Sequence, residues 1–181
     1  CRTLNPQRLR EQLETHPSLH GMAGVLAQTH PHLFSQTAGF LDAQVHTTLA
    51  HTIAAIERVF ALPGYQQYTL AQASPMAQHH FGPAGVFMGY DFHISADGPR
   101  LIEINTNAGG ALLNAALARA HQACCGGLQS VLPAATDLAG LDAAWMAMFH
   151  TEWRSQRGTQ TLRTVLIVDD APHTQYLAPE F

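Results

Sequence analysis

Residues 86–105 alternate between large apolar side chains and small or polar ones on both sides of an Asp-Gly pair. Every second residue from 86 to 94 is Val, Met, Tyr, Phe or Ile. A period of two is typical of a strand with one buried face, and Asp97-Gly98 favours a tight reversal of the chain. The sequence therefore predicts a β-hairpin with strands at 86–94 and 101–105.

The alternation also decides which polar side chains can meet. Glu103 and Asn105 are two residues apart and share one face of the second strand. In the first strand, Asp91 and His93 lie on the face opposite to the bulky side chains. If the bulky faces pair, Asp91 aligns with residue 103 or with residue 105. Such a pairing predicts an odd number of loop residues and excludes a two-residue Asp-Gly turn.

This arrangement would bring two carboxylates together, which costs free energy unless a proton or a cation relieves the repulsion. Asp91, Glu103 and Asn105 offer three oxygen donors, two of them anionic, and these suit Mg²⁺ or Mn²⁺ better than Zn²⁺. We therefore predict a metal site at these three residues. The alternative is a solvated polar face with no ligand.

Paired glycines follow the second strand and precede a segment rich in Ala and Leu, which predicts a helix over 111–125. Amide groups at Gly109-Gly110 could face an anion at the start of that helix. The same glycines could equally form a tight turn. The segment is not a P-loop, because no Gly-Lys-Ser/Thr follows it.

The stretch 89–110, GYDFHISADGPRLIEINTNAGG, resembles the metal-binding hairpin of ATP-grasp enzymes. Its position before further helices resembles the circularly permuted group that includes the synthetase domain of glutathionylspermidine synthase. The resemblance implies that Asp91, Glu103 and Asn105 bind Mg²⁺, and that Asn107, Gly109 and Gly110 help to hold ATP phosphate or substrate. It also implies a ligase reaction, in which ATP phosphorylates a small-molecule or peptide carboxylate and an amine attacks the acyl phosphate.

Two differences from that pattern favour other interpretations. Such synthetases carry an arginine two residues before the metal aspartate, where this chain has Gly89, and all nine basic residues here are Arg, with no Lys. The first alternative is a non-catalytic ATP-grasp-like binding or scaffold domain that has lost ATP use. A metal-dependent hydrolase that uses the same oxygens is a further alternative.

The rest of the chain predicts an α+β fold in which helices cover the small sheet. Helices are predicted at 3–15, 42–60 and 137–157, with irregular segments at 16–32 and 65–85. A β-branched run at 161–168 predicts a strand. We therefore expect an ATP-grasp-like domain over residues 1–158 and the start of a substrate-side α/β unit at 159–181, in a chain that is part of a longer protein.

The charge and hydropathy of the sequence limit the classes of binding partner that we expect. The formal net charge is −4 without runs of like charge, and no apolar stretch approaches the roughly 18 residues of a membrane-spanning helix. We expect no nucleic-acid partner and no membrane partner. Three cysteines show no metal spacing, and no secretory signal is visible, so the cytoplasm is the expected location.

Overall fold

A computed structural model of the protein describes residues 3, 5–17, 19–124 and 138–181. The described helices and strands are α1 (Pro6–Thr15), α2 (Met22–Thr29), α3 (Ala43–Phe60), α4 (Pro63–Leu70), β1 (Gly89–Ser95), β2 (Gly98–Asn105), α5 (Ala111–Cys124) and α6 (Leu141–Arg157). Two short 3₁₀ turns follow at Pro172–Thr174 and Ala178–Glu180. Helices and a small antiparallel sheet make the fold α+β, as the sequence predicts.

The third helix begins where the sequence predicts, whereas the first begins three residues later than predicted, and each has a side-chain cap at its start. The Asn5 side chain accepts a hydrogen bond from the Gln7 amide, and Pro6 occupies the first turn of α1. The Asp42 side chain likewise accepts from the Gln44 amide at 2.7 Å, and α3 ends before Pro63. Local chemistry is sufficient to set these ends.

Helix α2 lies inside the segment that was predicted to be irregular, so that prediction was wrong. Gly21 precedes the helix and supplies no side-chain cap. Glu14 of α1 supplies one instead, since its carboxylate accepts from the amides of Gly21 at 2.8 Å and Ala23 at 3.3 Å. Leu26 of α2 is buried in the resulting core. A tertiary contact therefore stabilises a helix that contains glycine and lacks its own cap.

Helix α4 was also missed, because the sequence was interpreted as a connecting segment after Pro63. The proline is instead the first residue of the helix, where its missing N–H costs nothing. The predicted end of the fifth helix at 126–127 and the predicted start of the last helix at 137 lie outside the described residues.

The chain divides into two compact units, each built from separate stretches. The first unit contains residues 1–39, 108–151 and 161–181, and the second contains residues 40–107 and 152–160. The predicted boundary at 158/159 concerned a substrate-side unit, and it stays a prediction.

The first unit has a small core where α1, α2 and α5 meet. Its buried members are Leu13, Ala23, Leu26 and Ala116, and half-buried side chains such as Leu9 and Phe34 surround them. Small residues on α5 allow α1 to approach closely. Helix α5, which follows the glycine pair, contributes Ala116 to this core.

The second unit contains the hairpin and the helix that supports it. Strands β1 and β2 form a two-stranded antiparallel sheet, and α3 packs against β2. A two-stranded hairpin by itself is marginally stable in water. The contact with α3 therefore helps to hold the hairpin in place.

The predicted strand at 161–168 is absent from the structure. The segment has no regular secondary structure, and Val165, Leu166 and Val168 are 72%, 82% and 81% exposed. A strand needs a neighbour to accept its backbone hydrogen bonds, and the described part of the chain places none beside it. Separately, no helix among the described residues is long and apolar enough to cross a lipid bilayer.

Candidate metal centre

The hairpin aligns the two predicted carboxylates directly across the sheet. Asp91 of β1 is the partner of Glu103 in β2, and Gly89 is the partner of Asn105. Residues that face each other across antiparallel strands project to the same side. Asp91, Glu103 and Asn105 therefore share one face, and the predicted alignment of residues 91 and 103 is confirmed.

The turn, however, is not the one predicted. Ser95 pairs with Gly98, so the loop contains only two residues, Ala96 and Asp97. Gly98 has φ +97°, which permits this tight connection and favours glycine. The prediction of an odd loop was wrong, because it assumed an unbroken ladder.

A β-bulge reconciles the short turn with the alignment of the carboxylates. The register shifts between Asp91 and Phe92, which pair with Glu103 and Leu101, and leaves Ile102 as the extra residue. A bulge inserts one residue into one strand only and so restores the alignment that an odd loop would have given. No local signal in the sequence marked Ile102.

The bulge also changes which side chains share a face between the bulge and the turn. Arg100 is the partner of His93, so both lie on the face of Asp91. Leu101 is the partner of Phe92 and joins the apolar face. In an unbroken strand, Arg100 would have shared a face with Ile102 and Ile104. Alternation along the strand therefore gave no reason to place Arg100 on the polar face.

The Asp91 and Glu103 side chains are solvent-exposed, and neither has a hydrogen bond or ion pair with another described residue. Directly opposed side chains in an antiparallel sheet have Cβ atoms about 4.5–5.5 Å apart, and like charges at that separation destabilise the pair. A divalent cation would remove this repulsion.

The donor set fits a hard divalent ion. Two carboxylates and one amide oxygen from Asn105 are the ligands that Mg²⁺ or Mn²⁺ prefers, with water and phosphate oxygens completing the shell. Across the described part of the chain, no three His, Cys, Asp or Glu side chains group to hold a metal ion. The candidate set differs in kind from such groups, since its third member is an amide.

A hydrogen bond from the opposite face ties the hairpin to α3. The Tyr90 hydroxyl donates to the Glu57 carboxylate. This hydrogen bond raises the pKa of Tyr90 from 10.0 to about 12, with smaller contributions from burial and from the negative charge of Glu57. Tyr90 immediately precedes Asp91, so the bond fixes the strand next to a candidate ligand.

The amide groups at the glycine turn donate hydrogen bonds to a carboxylate of the same chain. The amides of Gly110 and Leu112, at the start of α5, both donate to the Glu180 carboxylate, the second at 2.7 Å. Each carboxylate oxygen accepts one of the two bonds. Gly110 has φ +90°, and the Asn114 side chain donates back to its carbonyl oxygen at 2.8 Å.

Gly109 is the point at which the C-terminal segment approaches this turn. A Cβ atom at Gly109 would lie 3.0 Å from Leu177 Cδ1 and 3.5 Å from the Glu180 carboxylate. The structure thus gives the glycine a packing role. Binding of phosphate or substrate by Asn107, Gly109 and Gly110 stays a prediction.

The candidate residues belong to both compact units. Asp91, Glu103, Asn105 and Asn107 are in the second unit, whereas Gly109 and Gly110 are in the first. Comparisons with protein-family models, with curated proteins and with solved structures found no match to this chain.

Proposed function

We propose that this chain carries the metal-binding hairpin of an ATP-dependent ligase that joins a carboxylate to an amine through an acyl phosphate. The single observation behind the proposal is the direct opposition of Asp91 and Glu103, with Asn105 two residues along on the same face. This geometry supports the binding of Mg²⁺ or Mn²⁺ by three oxygen donors.

The metal would supply charge neutralisation for the transferring phosphoryl group. The role of the protein residues is to hold it: Asp91 and Glu103 provide anionic oxygens, and Asn105 provides a neutral one. Two carboxylates balance the charge of one divalent ion. The negative charge of the nucleotide then requires further cations, and the only basic side chains in the sequence besides histidine are nine arginines.

A second candidate function, a non-catalytic binding or scaffold domain, draws support from two observations. The chain has no Lys to hold phosphates, and the amides that could bind a phosphate at the start of α5 contact Glu180. A domain of this kind could keep the hairpin without turning over ATP.

Calorimetry with Mg²⁺-ATP distinguishes the two. The ligase proposal expects binding that requires the metal, and release of phosphate from ATP that increases when an amine and a carboxylate are both supplied. Binding of Mg²⁺ without any binding of ATP would favour the scaffold alternative. Failure to bind either the metal or the nucleotide would end the ligase proposal.

A further inference from the structure

The polar face of the hairpin carries a cation beside the candidate metal ligands. Arg100 pairs with His93, which is two residues beyond Asp91 in β1. Two residues of a strand rise about 6.6 Å, a distance that an extended arginine side chain can span. The bulge at Ile102 is what places Arg100 on this face.

The guanidinium group of Arg100 is available for another acceptor. Its Nη2 atom lies 3.5 Å from the Asp97 carboxylate in the turn, and the Arg100 and Asp97 side chains are 71% and 78% exposed. An ion pair between two such exposed groups contributes little to stability. Arg100 can therefore exchange Asp97 for a more highly charged partner without loss of the fold.

Phosphate is the ligand that matches these charges. Asp91 and Glu103 together balance a single divalent ion, so a di- or triphosphate bound to that ion still carries excess negative charge. Arginine presents a planar set of N–H donors that bind phosphate oxygens in pairs. On this face, Arg100 is the side chain with a permanent positive charge.

We propose that Arg100 binds the phosphate oxygens of a nucleotide held by the metal at Asp91, Glu103 and Asn105. This inference rests on the proposed function, because it requires a metal-bound polyphosphate. It extends that function by assigning a phosphate-binding residue that the sequence alone would have placed on the apolar face.

The test titrates Mn²⁺ first and then pyrophosphate at saturating Mn²⁺, with Mn²⁺ binding followed by electron paramagnetic resonance. Arg100→Gln should bind Mn²⁺ within about twofold of the unmodified protein but bind pyrophosphate about tenfold more weakly, as expected for the loss of one charge-assisted contact. Arg100→Lys, which keeps the charge, should recover part of the loss.

Two further variants control for general charge effects. Arg157→Gln removes an exposed arginine of the same compact unit and should leave pyrophosphate binding unchanged. Asp97→Asn removes the competing partner of Arg100 and should strengthen pyrophosphate binding about twofold.

Each outcome has one meaning. If Mn²⁺ binds and Arg100→Gln holds pyrophosphate as tightly as the unmodified protein, the role of Arg100 is wrong while the metal site stands. An equal loss in Arg100→Gln and Arg157→Gln would also overturn it, since the effect would then be one of net charge. If Mn²⁺ does not bind at all, the proposed function and the role of Arg100 both fail.

Discussion

The hairpin face and the start of α5 are the two halves of the predicted site, and they differ in how their charges are satisfied. On the hairpin, the Asp91 and Glu103 side chains face each other across the two strands and are exposed to solvent, and neither has a hydrogen bond or ion pair with another side chain among the described residues. At the start of α5, the amides of Gly110 and Leu112 already bind the Glu180 carboxylate. Arg100 lies on the same face of the hairpin but pairs with Asp97, so the Asp91 and Glu103 carboxylates have no ion pair among the described residues, whereas the amides at the start of α5 bind a carboxylate of the same chain.

The difference shows that a polar pattern alone does not identify a ligand site. Helix N-termini attract any carboxylate that the fold can bring to them, so a glycine turn before a helix is compatible with an internal cap. The opposed carboxylates of Asp91 in β1 and Glu103 in β2 have no hydrogen bond or ion pair with another side chain among the described residues. The hairpin half is therefore the basis of the functional proposal, and four substitutions test these assignments.

The largest expected effect is on the core of the first unit. Leu26→Ala removes a side chain that is 4% exposed, and it should lower the free energy of unfolding by about 2–5 kcal/mol, measured by urea denaturation. Val25→Ala, at a neighbouring exposed position of α2, should cost less than about 0.5 kcal/mol. Equal losses would mean that the core has been assigned to the wrong face of α2.

The next effect tests the hairpin half directly. Glu103→Gln keeps the size of the side chain and removes its charge, so Mn²⁺ affinity should fall by at least roughly 10-fold, since the loss of even an outer-shell partner of a metal ligand typically costs about 10- to 100-fold. Stability should remain equal or rise slightly, because the repulsion with Asp91 disappears.

The matched control for that test is Asp97→Asn, which removes a carboxylate from the turn of the same hairpin and should leave Mn²⁺ affinity within about twofold. Mn²⁺ affinity and stability that fall in parallel in Glu103→Gln would show that Glu103 is a structural residue.

A smaller effect is expected at the α5 half. Glu180→Gln should weaken the cap by about 0.5–2 kcal/mol and speed hydrogen exchange at the Gly110 and Leu112 amides. Inorganic phosphate should then shift the NMR signals of these two amides more strongly than in the unmodified protein. Asp170→Asn, which makes the same charge change in the same segment, should do neither. Unaltered exchange in Glu180→Gln would contradict the assignment of the cap.

The smallest effect concerns the contact between the hairpin and α3. Tyr90→Phe removes one hydrogen bond to Glu57 and should cost about 0.5–1.5 kcal/mol at pH 8. Because the fold raises the pKa of Tyr90 from 10.0 to about 12, this contribution is fully present below pH 10 and is lost as the pH rises to about 12.

The stability difference between the unmodified protein and Tyr90→Phe, measured by urea denaturation, should therefore shrink between pH 9 and pH 12. A difference that stays constant over this range would show that the hydroxyl proton is not what Glu57 binds.

Much of the local structure could be predicted because its causes are local. Asp42 caps α3, Pro6 begins the first turn of α1, and the alternation of Tyr90, Phe92 and Ile94 marks a strand. Predictions failed where the cause was distant. Helix α2 depends on the Glu14 carboxylate, and the run at 161–168 is β-branched but has no described neighbour with which to pair.

The sequence alone places Glu103 and Asn105 on one face of the second strand, because alternation along a strand follows from backbone geometry. It also determined that glycines precede a helix at 111. The alignment of the two strands depends on the tertiary structure, since a bulge at Ile102 changes the register and brings Asp91 opposite Glu103 without any local signal. The same holds for two charged side chains: Arg100 lies on the face of Asp91 because of that bulge, and Glu180 contacts the amides at the start of α5 from about 70 residues away.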